Sequence, residues 1–235
     1  MALARPLINR GGVTAEFLAP GDLLAGGESV NALTTAVGDT WTGNLIARGI
    51  IRRSGPGAGY TDTTDTAQNI LNSLTGAGQQ AVSLNGSTFR LLVQNTVAFA
   101  LTFAAGTGVV AGTGTLDIAA SLVREYLLTI LNSTPQISLQ SNTTNANPTV
   151  TFVLPPGLVA YPIGPAPNAV TVTPGMGVSG TGISAGTTVL GVTQGQGGVV
   201  GVTLSANATA TSAAGGTPLT FFPRIQIDSL RSSTL

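Results

Sequence analysis

The sequence predicts an all-β fold with one short helix, and three observations carry that reading. Only 8% of the residues are charged, against roughly a quarter in ordinary soluble domains. The apolar residues fall in short runs with β-branched and aromatic content, bounded by Asn, Gly or Ser and poor in Ala-Glu-Lys helix formers. Several of these runs alternate apolar with polar, the mark of a half-buried strand. Low charge with high Gly, Ala, Thr, Val and Leu is not the disordered signature, which pairs low hydrophobicity with high net charge. It suits a β-rich surface of Thr, Ser, Asn and Gln.

Residues 1–44 read as an extended N-terminal arm. Pro6, Gly11, Gly12, Pro20, Gly21 and later glycines interrupt it too often for long regular elements. Leu7, Ile8, Phe17, Leu23, Leu24 and Trp41 recur through it, and such a segment is ordered by packing on its own domain or on a neighbour. The plain alternative is a disordered terminus. Trp41, the single tryptophan, reads as a core or interface anchor.

The main β-domain is expected over residues 45–160. Residues 45–53 (LIARGIIRR) are its first strand, with Arg48, Arg52 and Arg53 gathered there. They serve either to pair with carboxylates of a partner or as a solvated strand end. Residues 54–60 form a turn. Asp65 or Thr64 then caps a helix carrying Ala67, Ile70, Leu71 and Leu74 on one face, and Gly76 and Gly78 end it. Strands follow over 87–94, 97–104, 112–118 and 122–131. The length of the last, and its Arg124–Glu125 pair, leave a helix open, but its short neighbours and flanking residues favour strand. Strands are also read over 136–140 and 149–154, around a loop at 141–148, before a Pro-rich connector.

Residues 161–222 form a Gly/Thr-rich β-module, either a second domain or an insertion in the main sheet. From about Asn168 it has no charged residue before Arg224. Its strands are read at 170–173, 177–179, 187–192, 199–204 and 219–222. Residues 223–235 are the final strand and tail, with 221–227 returning to the main sheet and 228–235 a mobile end or assembly strand.

Composition removes most chemistry. The chain has no His, Cys or Lys, and all nine of its positive side chains are Arg. Ser-His-Asp and Cys-His catalysis, Schiff-base formation, thiolate zinc sites and a P-loop are therefore excluded. No cofactor and no metal are expected. Asp62 and Asp65, with Thr61, Thr63 and Thr64, offer oxygens to a hard cation, but a helix cap and turn is the favoured reading. Asp117 and Glu125 would need an aromatic-lined cleft to act as a glycosidase pair. A cross-strand ion pair of Glu125 with Arg90 is favoured instead. Two G-x-G-x-x-A matches, at Gly106 and Gly180, are read as turns, because no helix pattern follows the first and no acidic residue lies near the required distance after the second. With zero net charge and scattered arginines, no nucleic-acid partner is expected. No segment approaches a membrane span and the first residues lack a signal-peptide core, so the chain is expected to be made in a cytoplasm and not exported by a standard N-terminal route.

A resemblance adds to this. Residues 61–67 (TDTTDTA), 89–95 (FRLLVQN), 98–109 (AFALTFAAGTGV) and 122–126 (LVREY) together resemble the head decoration and head-fibre proteins of tailed bacteriophages. Residues 175–189 (GMGVSGTGISAGTTV) are similar to a β-module recurring in phage virion proteins and bacterial surface proteins. The resemblance implies a structural, non-enzymatic virion protein: a β-sandwich or jelly-roll-like domain closing as a homotrimer on the outer capsid surface. Its partners would be the major capsid protein and itself. The arm would lie across joints between capsid subunits, with Leu7, Ile8, Phe17, Leu23, Leu24 and Trp41 as contacts. The alternative is a tail-fibre or adhesin-type carbohydrate-binding module, for which Tyr60, Tyr126, Tyr161 and Trp41 are few and scattered.

Overall fold

The computed structural model describes residues 7–10, 13–16, 31–75, 84–157, 159–162, 171–196 and 198–234. The chain begins with β1 (Leu7–Arg10), β2 (Val13–Glu16), β3 (Asn31–Leu33), β4 (Thr40–Trp41), α1 (Gly43–Arg48) and β5 (Ile50–Arg53). Next come β6 (Tyr60–Thr64), α2 (Ala67–Thr75), β7 (Thr88–Asn95), β8 (Leu101–Ala104), β9 (Val109–Ala111) and β10 (Leu122–Asn132). Then follow β11 (Ile137–Asn142), β12 (Thr149–Phe152), β13 (Gly177–Ser179), β14 (Val189–Gly195), β15 (Gly198–Leu204), β16 (Thr217–Phe222) and β17 (Arg224–Thr234). The fold is all-β and sandwich-like, with two short helices among the described residues where one was expected.

Two units divide the chain. The first holds residues 1–82, 87–129 and 226–235, and the second holds 83–86 and 130–225. These divisions fall inside β10 and near the start of β17, not at the composition changes near residues 44, 160 and 222. Composition shifts where charge disappears, whereas a unit ends where contacts do.

In the first unit the chain alternates between two layers. Strands β3, β5, β7 and β9 belong to a sheet ordered β3-β5-β7-β10-β17-β9, and the intervening β4, β6 and β8 form a second sheet. Each return to a layer is a crossover, so β3, β5 and β7 run parallel, as do β4, β6 and β8. Strand β10 is antiparallel to β7. The layers meet through Trp41, Phe103 and Tyr126, whose ring centroids lie 5.0 Å (Trp41–Phe103) and 6.0 Å (Phe103–Tyr126) apart. Ile46, Ile51, Ile70, Leu71, Leu91, Leu101 and Leu128 fill the core around them. The hairpin β1–β2 forms a two-stranded sheet of its own.

Several expected elements differ, for local reasons. Residues 45–53 are a helix and then a strand. The Thr42 hydroxyl accepts from the Leu45 N–H, and Gly49 closes the helix in the left-handed region at φ 85°. The polar run at 60–64 is a strand with Tyr60, Asp62 and Thr64 turned inward. It reads as a turn because its buried residues are polar. The strand expected at 112–118 lies earlier, at β9, and 171–173 carry no strand. Residue 170, and 158 and 163–167 of the Pro-rich connector, lie outside the described residues. The tail from residue 228 belongs to β17, in the large sheet, so the returning strand is longer than expected.

The second unit is a six-stranded antiparallel sheet ordered β13-β16-β11-β12-β15-β14. Its outer strands meet. The Val178 N–H donates to Thr187 O at 2.9 Å and the Val189 N–H to Met176 O at 2.9 Å, beside a bridge between Gly177 and Thr188. The sheet therefore closes into a small barrel, filled by Val150, Phe152, Met176, Val202, Leu219 and Phe221. Tyr161 and Val199 exchange two backbone hydrogen bonds, of 2.9 and 2.8 Å.

Candidate interaction face

Alternation along a strand sends successive side chains to opposite faces. In the large sheet one face is core: Ile51 and Arg53 on β5, Leu91, Val93 and Asn95 on β7, Tyr126 and Leu128 on β10 are all buried. The register pairs Ile50 with Leu92 and Leu92 with Glu125, and Arg90 with Leu127. The outer face therefore carries Ile50 and Arg52, then Arg90 and Leu92, then Val123, Glu125 and Leu127. Ile50, Leu92, Val123 and Leu127 are half-buried.

Glu125 sits at the centre of this face. Its Oε1 accepts from Arg90 Nη1 at 2.5 Å and its Oε2 from Arg231 Nε at 2.6 Å. The glutamate side chain is 9% exposed, whereas those of Arg90 and Arg231 are 54% and 77% exposed. Pairs this open to water contribute about 0–1 kcal/mol each. The cluster is therefore a minor term in stability. Arg52 is exposed and has no hydrogen bond or ion pair from its side chain among the described residues. A groove of about 330 Å³ runs beside the cluster, lined by Leu92, Val123, Glu125, Arg231 and Ser233.

The inner face holds a second polar centre. Arg53 is fully buried, its Nε 2.9 Å from Asp62 Oδ2. The same oxygen accepts from Trp41 Nε1 at 2.9 Å, and Oδ1 accepts from the Asp39 N–H at 2.8 Å. The guanidinium also donates to the carbonyls of Leu33, Thr35, Ser54 and Val37, and lies 4.9 Å from the Tyr60 ring centroid. Arg53 thus clasps residues 33–39 to the sheet and does not reach a partner. Arg48 donates to Asn31 Oδ1 at 2.9 Å.

The cation reading of Asp62 and Asp65 is replaced by a hydrogen-bonding one. Asp65 Oδ2 accepts from the Gly43 N–H at 3.0 Å, and its Oδ1 accepts from Thr66 N and Asn69 Nδ2. The cap of α2 is Thr66, whose hydroxyl accepts from the Asn69 N–H. Thr64 instead holds the Gly106 N–H at 2.8 Å. Asp117 accepts from the Phe103 N–H, so it and Glu125 have separate partners, and the Arg90–Glu125 pair forms as expected. The Gly106 match is a turn leading into β9 and the Gly180 match is bends and turns, with no helix after either. Among the described residues no three His, Cys, Asp or Glu gather to hold a metal, and no helix is long and apolar enough to cross a membrane. Burial pushes the Tyr60 and Tyr126 phenols above their ordinary value.

Of the expected contact residues, Leu7 and Ile8 lie in β1, and Phe17, Leu23 and Leu24 lie outside the described residues. Trp41 is fully buried against Phe103 and Tyr126, so its ring belongs to the core and presents no contact surface. The outer face itself was missed by sequence reasoning. The alternation of Val123, Glu125 and Leu127 against Arg124, Tyr126 and Leu128 was the available signal. Arg231 was hidden in what read as a tail.

No family model, no curated protein and no solved structure matches this chain.

Proposed function

We propose that the chain is a structural virion protein that decorates and stabilises a tailed-phage capsid. It acts by burying surface at joints between capsid subunits, not by catalysis. The supporting observation is that the four segments carrying the resemblance are joined to one another in the first unit. Thr64 of the first holds the Gly106 N–H of the third at 2.8 Å. Asn95 of the second donates to Phe99 O of the third at 2.8 Å, and Arg90 of the second pairs with Glu125 of the fourth. Phe103 of the third stacks on Tyr126 of the fourth. These four segments thus fall in one folding unit, and the further segment 175–189 falls in the other.

The described buried carboxylates, Asp62 and Glu125, are both occupied by the chain's own donors, which suits a protein that works by contact. A neutral, charge-poor surface also suits a chain that spends its life in an assembly, since a free monomer of zero net charge is prone to associate. Apolar contact contributes about 25 cal/mol per Å² buried, so modest contacts repeated over a lattice oppose the pressure of packaged DNA. The assembly expected is a homotrimer on the outer capsid surface, matching three-fold lattice sites.

The test is to look for the chain by mass spectrometry in purified particles of a phage encoding it, and to cosediment the purified chain with DNA-free heads. Saturable binding and a sedimentation mass of three chains are expected. Absence from particles, together with retention on immobilised polysaccharide, would overturn the proposal in favour of an adhesin-type module.

A further inference from the structure

We infer that the outer face of the large sheet, centred on Glu125, docks a carboxylate-bearing protein surface. The inference rests on the capsid reading, in which that surface belongs to the capsid lattice. Three guanidiniums, those of Arg52, Arg90 and Arg231, share this face with the carboxylate of Glu125 at its centre. Glu125 takes one N–H from each of Arg90 and Arg231, and a guanidinium has five. Most of their donors therefore remain for a partner, on side chains already held in place by the glutamate. Such preorganisation lowers the ordering cost of binding, and the planar fork of Arg matches a carboxylate with two parallel bonds.

The rest of the face says what kind of carboxylate. Ile50, Leu92, Val123 and Leu127 leave half-buried apolar surface between the cations, and the groove lined by Leu92 and Val123 gives room for an apolar side chain beside the acid. This mixture fits protein. A nucleic acid would leave the apolar strip unused, and three arginines offset by one glutamate release few counterions.

The experiment measures binding of the full-length chain to DNA-free heads across a salt series. Arg52→Glu is the primary variant because that side chain has no partner among the described residues to lose. An Arg90→Gln/Arg231→Gln double variant is the second, with Trp41 fluorescence and the melting midpoint confirming its fold. Wild-type affinity is expected to fall with salt, and Arg52→Glu to bind roughly tenfold more weakly, with the double variant weaker still. Wild-type binding with equal binding by both variants would overturn the docking face and leave the capsid reading standing. No wild-type binding to heads would overturn both. Binding to naked double-stranded DNA that both variants lose would replace the protein partner by nucleic acid. A change in sedimentation mass of Arg52→Glu would make the face a self-contact instead.

Discussion

The two units solve the same problem with opposite means. Of nine arginines and nine acids, only Arg224 falls in the second unit, which leaves the first with eight arginines and all nine acids. Exposed sheet edges invite pairing with other chains, and proteins blunt them with charge, short strands or closure. The first unit keeps open sheets, and its edge strands are short: β3 and β9 have three residues each and β4 has two. The second unit has almost no charge, and its three-residue edge strand β13 is joined to the start of β14. A nearly uncharged β-unit is tolerable when its sheet closes on itself.

The contrast is sharpest at Arg53. Replacing it with Ala removes four carbonyl contacts and leaves Asp62 buried without its counter-ion, which is expected to cost the first unit about 3–5 kcal/mol. Trp41 is the single tryptophan and lies in the first unit, so its fluorescence in urea isolates that transition. An equal loss in the circular dichroism of both units would break the comparison, because it would make them one cooperative block.

The reciprocal change is Gly198→Ala. A Cβ there would lie 1.9 Å from the Tyr161 carbonyl oxygen, where Tyr161 and Val199 exchange backbone hydrogen bonds. Forcing the strands apart is expected to destabilise the barrel by about 1–3 kcal/mol. The Trp41 transition should stay where it is while the tyrosine signal of Tyr161 moves.

Acid should separate the units more gently. The Thr113 backbone N–H, offset in part by desolvation and helped by Gln226 and the Thr113 hydroxyl, holds the Asp228 carboxyl below its ordinary value of 3.8. A depressed carboxylate contributes stability that is complete above 3.8 and is lost as pH falls through its lower folded value. The second unit contains no Asp or Glu. Lowering the pH below 3.8 is therefore expected to lower the Trp41 midpoint slightly and leave the barrel midpoint unchanged. A parallel fall in both would require a titrating group the barrel does not have.

How far the fold was legible follows the same division. The barrel strands were readable, with 177–179 matching β13 and 199–204 lying within β15, because their alternation is apolar in and uncharged polar out. The first unit was harder. Its strand β6 points Asp62 and Thr64 inward, where Arg53, nine residues away, and the Gly106 N–H, 42 residues away, satisfy them, and a local pattern contains no sign of such partners. Helix α1 was obscured because it is only six residues long, and its Leu45–Ile46 pair continues smoothly into the apolar start of β5. The Arg90–Glu125 pair was legible from strand neighbours. Arg231, the other half of that cluster, lies on a strand returning from more than a hundred residues away, a pairing that only topology reveals.

The placement of the barrel between β10 and β17 bears on inheritance. Those strands are neighbours in the large sheet, and the second unit is made almost entirely of the residues between them. Joining neighbouring strands needs only a short turn, so a recombination event that removes or replaces the intervening segment leaves the strand order of the host sheet intact.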